Sequence, residues 1–98
     1  MQEVGVTRCN MEPEMAKFCR IFEYMGRLIY LREASARKSG FCTDINQMCW
    51  ITEAGEHIEM SATEKAEILH EIKIWNKSAK RRGKMVVKFV DTEKRWRA

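Results

Sequence analysis

Apolar residues return along this chain at two distinct periods. Met15, Phe18, Phe22, Met25 and Ile29 follow one another at alternating spacings of three and four, the stripe of an amphipathic helix. Cys19, Ile21, Leu28 and Leu31 widen the stripe. The pattern predicts a first helix over Glu12–Lys38. Asn10 stands where a cap would stand, and its side chain suits a free first-turn amide. Pro13 needs no amide partner in a first turn, and Glu12 and Glu14 suit the positive end of the helix dipole. Glu23 with Arg27, and Glu33 with Arg37, are i,i+4 pairs in the favoured order. Gly26 is the weak point of such a helix, costing about 1 kcal/mol against alanine; it would mark a bend or the close approach of another backbone. Ser39-Gly40 ends the pattern.

A second helix is written over Ser61–Arg82. Ser61 with Glu64 forms the S-x-x-E capping box, in which each residue satisfies a free amide of the other. Ile68, Ile72, Trp75 and Ala79 then share one face, flanked by Leu69. Glu64, Glu67 and Glu71 load the first half. Lys73, Lys77, Lys80, Arg81 and Arg82 load the second, which complements the dipole. Gly83 suits the residue just past the helix end.

The remaining segments read at period two. Lys84–Val90, Lys-Met-Val-Val-Lys-Phe-Val, is rich in strand formers. Val4 and Val6 alternate with Gly5, so residues 1–10 form an irregular lead-in or a short edge strand. Residues 41–60 fit either a short helix through Asn46, Met48 and Trp50 or two strands, Met48–Thr52 and Glu56–Met60, joined at Glu53-Ala54-Gly55. The preferred combination is a helical turn at 44–49 followed by a small hairpin. The expected fold is therefore α+β but mainly α, in one domain over 1–98. It has two amphipathic helices, a short hairpin or turn between them, a C-terminal strand, and a flexible basic tail at 91–98.

Composition narrows the class. Of 98 residues, 45% are hydrophobic and 33% charged, with one proline, which excludes a disordered, collagen-like or low-complexity chain. No apolar run exceeds four residues, the length of Leu28-Ile29-Tyr30-Leu31, far short of the ~18–20 residues of a membrane span. Met1–Gly5 has neither a basic start nor an apolar stretch, so no export signal is expected and the cytoplasm is the expected compartment. Charge is unevenly spread: residues 1–77 carry ten Lys/Arg against twelve Asp/Glu, and residues 78–98 carry eight against two. Such an asymmetry suits an arm that meets nucleic acid or an acidic protein surface, and equally a solvated tail.

Catalytic constellations are missing. No phosphate-binding glycine loop, nucleophile elbow or H-E-x-x-H motif occurs. His70 beside Glu67 and Glu71 lies on a charged helix face. The fold could bring Cys42 or Cys49 near His57, but nothing in the spacing favours it. Cys9, Cys19, Cys42 and Cys49 follow C-x9-C-x22-C-x6-C, without the tight pair of a structural zinc site; buried reduced thiols and no metal or cofactor are expected. The seven methionines suit an adaptable core.

Two basic clusters remain as candidates. Lys77, Lys80, Arg81, Arg82 and Lys84 cover the end of the second helix, and Lys94, Arg95, Trp96 and Arg97 form the other. Basic side chains interleaved with an indole suit a phosphate backbone with stacked bases, and they suit a protein interface. A solvated surface with Trp96 folded onto the core remains open beside both. Arg81, Arg82, Lys84, Arg95, Trp96 and Arg97 are the candidate partner-binding residues. Pro13 is read as a first-turn proline, with an exposed site for a host peptidyl-prolyl isomerase as the sharper alternative.

Through the stretches Met11–Leu31, Met60–Gly83 and Lys84–Val90, the chain resembles the small anti-RecBCD proteins of lambdoid Salmonella bacteriophages. The resemblance implies a non-enzymatic inhibitor or modulator in the bacterial host cell. It would bind the host RecBCD helicase-nuclease through RecC, protect phage DNA ends and favour phage recombination. No site residue carries over, because no motif is matched. A protein that filled a DNA groove by mimicry would be acidic; this one has a formal net charge of +4, so docking away from the DNA channel is expected. A small basic nucleic-acid-binding module is the alternative.

Overall fold

The computed structural model describes residues 1–34 and 40–93. It corrects the mainly helical expectation: helix and strand each make up 34%. Among the described residues, seven strands, one short α-helix and one long α-helix follow in the order β1 (Gln2–Val4), α1 (Pro13–Ala16), β2 (Cys19–Tyr24), β3 (Arg27–Arg32), β4 (Phe41–Asp44), β5 (Cys49–Ile51), β6 (His57–Glu59), α2 (Ala62–Arg81) and β7 (Val87–Val90). An antiparallel sheet runs β1-β2-β3-β5-β6, and β4 pairs with β7 in parallel. A bridge between Glu33 and Thr43 links the end of β3 to β4.

The first predicted helix is a hairpin. Tyr24 pairs with Arg27 across a two-residue turn, and the turn residues Met25 and Gly26 have φ of 51° and 78°. Two successive positive φ values are what a type I′ hairpin turn requires, because its twist matches that of the flanking strands. Gly26 is thus the turn residue rather than a flaw in a helix. Among the described residues of that predicted helix only α1 is helical, with Glu12 rather than Asn10 at its cap and Pro13 at its first position.

The run Leu28-Ile29-Tyr30-Leu31 is uniformly apolar because β3 is covered on both faces. Ile29 and Leu31 join Phe22 and Trp50 beneath α2, packing against Ile68, Ile72, Trp75 and Ala79. Leu28 and Tyr30 join Cys9, Cys19, Ile21 and Ile51 on the other face, where Val6 and Met11 of the lead-in cover them. Period-two alternation therefore sends successive residues into two cores.

Other expectations match local structure. A 3-10 turn at Ile45–Gln47 precedes the β5–β6 hairpin. The lead-in supplies edge strand β1, paired with β2. The tail begins anchored: the Thr92 hydroxyl donates to Asp44 Oδ2 at 2.7 Å, and Asn46 Nδ2 donates to Asp91 Oδ1 at 2.9 Å. Residues 94–98 lie outside the described residues.

Candidate partner-binding surface

Helix α2 is fixed at both ends by its own sequence. At the start, Ser61 Oγ accepts from the Glu64 amide at 3.1 Å and Glu64 Oε1 accepts from the Ser61 amide at 2.9 Å. Glu64 Oε2 also accepts from Arg27 Nη1 at 3.1 Å and from Trp50 Nε1 at 3.2 Å. The Arg27 guanidinium lies 3.8 Å from the Trp50 ring centroid. The Ser61 amide, with the Arg27, Ser61 and Trp50 donors behind it, holds the Glu64 carboxyl below its ordinary range against the opposing effect of desolvation.

At the far end Gly83 has φ of 69°. Its amide donates to the Lys80 carbonyl at 3.2 Å, and the Lys84 amide donates to the Ala79 carbonyl at 2.8 Å. These are the two bonds of a Schellman cap. The cap ends the helix where Arg81, Arg82 and Lys84 are all exposed, beside the negative end of the helix dipole. The next residues are clamped onto the body. Arg20 Nη2 donates to the Met85 carbonyl at 2.9 Å, and the Asn76 side chain holds Val87.

The structure thus brings three of the six candidate binding residues, Arg81, Arg82 and Lys84, to one end of α2. Arg95, Trp96 and Arg97 lie outside the described residues. Lys73, Lys77, Lys80, Arg81 and Lys84 are exposed, and among the described residues none of them is in an ion pair. Pro13 is exposed, at the start of a single helical turn.

Charge on α2 is also separated across the helix, which the linear pattern did not reveal. Lys73 and Lys80 follow Lys65 and Leu69 at spacings of three and four with Asn76 between them, so they occupy one flank. Glu64, Glu67 and Glu71 occupy the opposite flank at spacings of three and four. The buried stripe Ile68, Ile72, Trp75 and Ala79 lies between the two flanks.

The fold also brings Cys49 to His57, a pairing nothing in the spacing favoured. Their Sγ and Nδ1 atoms are 3.7 Å apart, and the His57 ring lies 4.6 Å from that of Tyr30. They meet because β5 and β6 form a hairpin. Burial pushes the Cys49 thiol up, against the lowering effect of Lys65, so it stays protonated at neutral pH and is not poised as a thiolate nucleophile. The four cysteines carry free thiols, and Cys9, Cys19 and Cys42 are buried. Among the described residues no group of three His, Cys, Asp or Glu side chains is placed to hold a metal ion, and no helix is long and apolar enough to cross a membrane.

Comparison with known protein families, characterised proteins and solved structures finds no match.

Proposed function

We propose that this chain works by protein contact, as a non-enzymatic modulator of a larger host machine. The basic end of α2 is its docking surface, and RecBCD is the target that the resemblance implies. The observation that carries the contact reading is the basic cluster Lys77, Lys80, Arg81 and Lys84, without an ion pair among the described residues and held outward by the Schellman cap at Gly83. Cations left without acidic partners on a rigid helix end keep their field for an incoming surface, and arginine is among the commonest interface anchors.

The same cluster supports a nucleic-acid-binding module as the second reading. Two features favour protein contact. Trp50 and Trp75 are buried, so among the described residues no indole is free to stack on bases. The acidic flank Glu64, Glu67 and Glu71 would repel a phosphate backbone wrapping the helix.

The test is a titration of purified RecBCD with the protein, read by calorimetry and by protection of linear duplex DNA. The expected result is saturable binding with slowed degradation, weakened about tenfold or more in Arg81→Ala/Arg82→Ala/Lys84→Ala, whose melting temperature stays near that of the parent. No binding to RecBCD would end that target assignment. Binding to short duplex DNA in its place, falling steeply with salt, would establish the second reading.

A further inference from the structure

The outer edge of β7 is open in a way that specifies a ligand. The Val87 amide donates to Asn76 Oδ1 and the Val87 carbonyl accepts from Asn76 Nδ2, each at 2.8 Å. One side-chain amide therefore occupies the place of a neighbouring strand at Val87. Because β7 pairs with β4 on its other edge, the alternation of a strand turns Lys88 and Val90 towards β4. It turns the Phe89 amide and carbonyl to the same outer edge as Val87. Asn76 covers the first outward position; no described residue covers the second.

A groove of about 450 Å³ lies along this edge, between β7 and α2. Ile45, Leu69, Phe89 and Val90 give it an apolar floor, and all four are half-buried. Lys73 stands on its wall, and Lys80 follows on the same flank of α2. Among the described residues, Asp91 is the one carboxylate on the lining, and its Oδ1 already accepts from Asn46 Nδ2 at 2.9 Å and from the Glu93 amide at 3.1 Å. Neither lysine is in an ion pair among the described residues. The acids of α2 lie on the opposite flank. A strand edge that no described residue pairs, an apolar floor and a lysine on the wall, with the groove's own carboxylate already hydrogen-bonded, suit the strand-addition mode of peptide recognition: main-chain bonds give affinity and alternate side chains give specificity.

We propose that an extended peptide segment with acidic side chains binds this groove as an added strand on β7. Its backbone pairs with Phe89, an apolar side chain rests on Leu69 and Ile45, and a carboxylate faces Lys73. Asn76 closes one end, so the added strand is short and the contact modest in strength. The proposal rests on the protein-contact reading and names the partner's chemistry: an acidic, strand-forming segment.

The probe is a short fluorescein-labelled peptide of alternating Glu and Val, measured by anisotropy at low salt. Saturable binding tighter than about 1 mM is expected. Lys73→Glu weakens it about tenfold. N-methylation of alternate peptide nitrogens weakens it by a similar factor, because a strand without those amides cannot pair. In hydrogen exchange the peptide slows the Phe89 amide and leaves Val87 unchanged. No binding, equal binding of a Lys–Val peptide, or equal binding of the N-methylated peptide would each overturn the proposal. Removing residues 94–98 should leave the affinity unchanged; a rise of about tenfold would make the chain's own tail the occupant. A dimer in sedimentation velocity that the peptide dissociates would make a second copy the occupant. The RecBCD titration separates the two readings: RecBCD bound without peptide binding removes the groove alone, and peptide binding without RecBCD removes the target and leaves the groove.

Discussion

Arg20 grips Glu3 with two nitrogens, Nε at 2.8 Å and Nη2 at 2.7 Å. The same guanidinium stands 5.2 Å from the Phe41 ring centroid and 5.5 Å from that of Trp75, and it donates to the carbonyls of Met85 and Val86. One side chain, 11% exposed, therefore ties β1, β2, β4 and the segment after α2 together. Arginine suits this place because a planar fork can bond at its edge and stack on its face at once.

Arg20→Ala should lower stability by about 3 kcal/mol, from lost charged hydrogen bonds, lost ring contacts and unpaired carbonyls. Arg20→Lys should restore less than half, since an ammonium cannot bond bidentately and stack together. Urea unfolding of both variants measures this. Equal stability of Arg20→Lys and the parent would mean that only the charge matters.

The sign of Gly26→Ala distinguishes the hairpin from a helix. In a helix, alanine would add about 1 kcal/mol. In the turn, with φ of 78° and no atom within 4 Å of an added Cβ, there is no clash, only left-handed strain, and stability should fall by about 1 kcal/mol. Met25→Asn should raise it by a few tenths to about 1 kcal/mol, because asparagine tolerates the left-handed region better than methionine.

This hairpin also shows why part of the fold was hidden in the sequence. Phe22 and Ile29 are seven apart and face each other as a cross-strand pair. A helix also brings residues seven apart onto one face, so a tight hairpin and a helix write the same spacing here. Exposure separates them: Met15, Phe18 and Met25 are 41, 51 and 83% exposed, whereas a core stripe would bury them. Met-Gly is not a strong turn pair, so no local mark announced the reversal. Helix α2 was legible because its signals are local: Ser61 and Glu64 cap each other, Ile68, Ile72, Trp75 and Ala79 repeat on one face, and Gly83 closes it. For the site, the basic end at Arg81, Arg82 and Lys84 was legible from charge alone. The groove was not, because it depends on Asn76 meeting Val87 and on β7 pairing with β4, and neither is written in spacing.

Acid should loosen the junction between β4 and the chain after β7. Asp44 is buried. Burial alone would raise its carboxyl, but hydrogen bonds from Thr92 and Asn46 outweigh it and hold the group below its ordinary value. A depressed folded value means that the stabilisation is in place above the unfolded aspartate value of about 4 and is lost as pH falls through the folded value. Asp44→Asn should cost about 1–2 kcal/mol at pH 7. It should also flatten the dependence of stability on pH below about 5, as urea midpoints across that range will register. An unchanged slope would show that Asp44 does not set the acid limb.

Asn76 answers both main-chain groups of Val87 and thereby fixes where β7 lies against α2. Asn76→Ala leaves a buried amide and carbonyl unpaired and should cost about 2–3 kcal/mol. Asn76→Asp keeps an acceptor for the Val87 amide but sets a carboxylate against the Val87 carbonyl, so it should recover little. Hydrogen exchange resolves the effect by position. The Val87 amide should lose protection in both variants, while amides in the middle of α2 lose only what the global loss of stability accounts for. Protection retained at Val87 in Asn76→Ala would mean that β4 and the Arg20 clamp hold β7 unaided. In that case the edge at Phe89 would be free to shift, and Asn76 would not set the end of the groove.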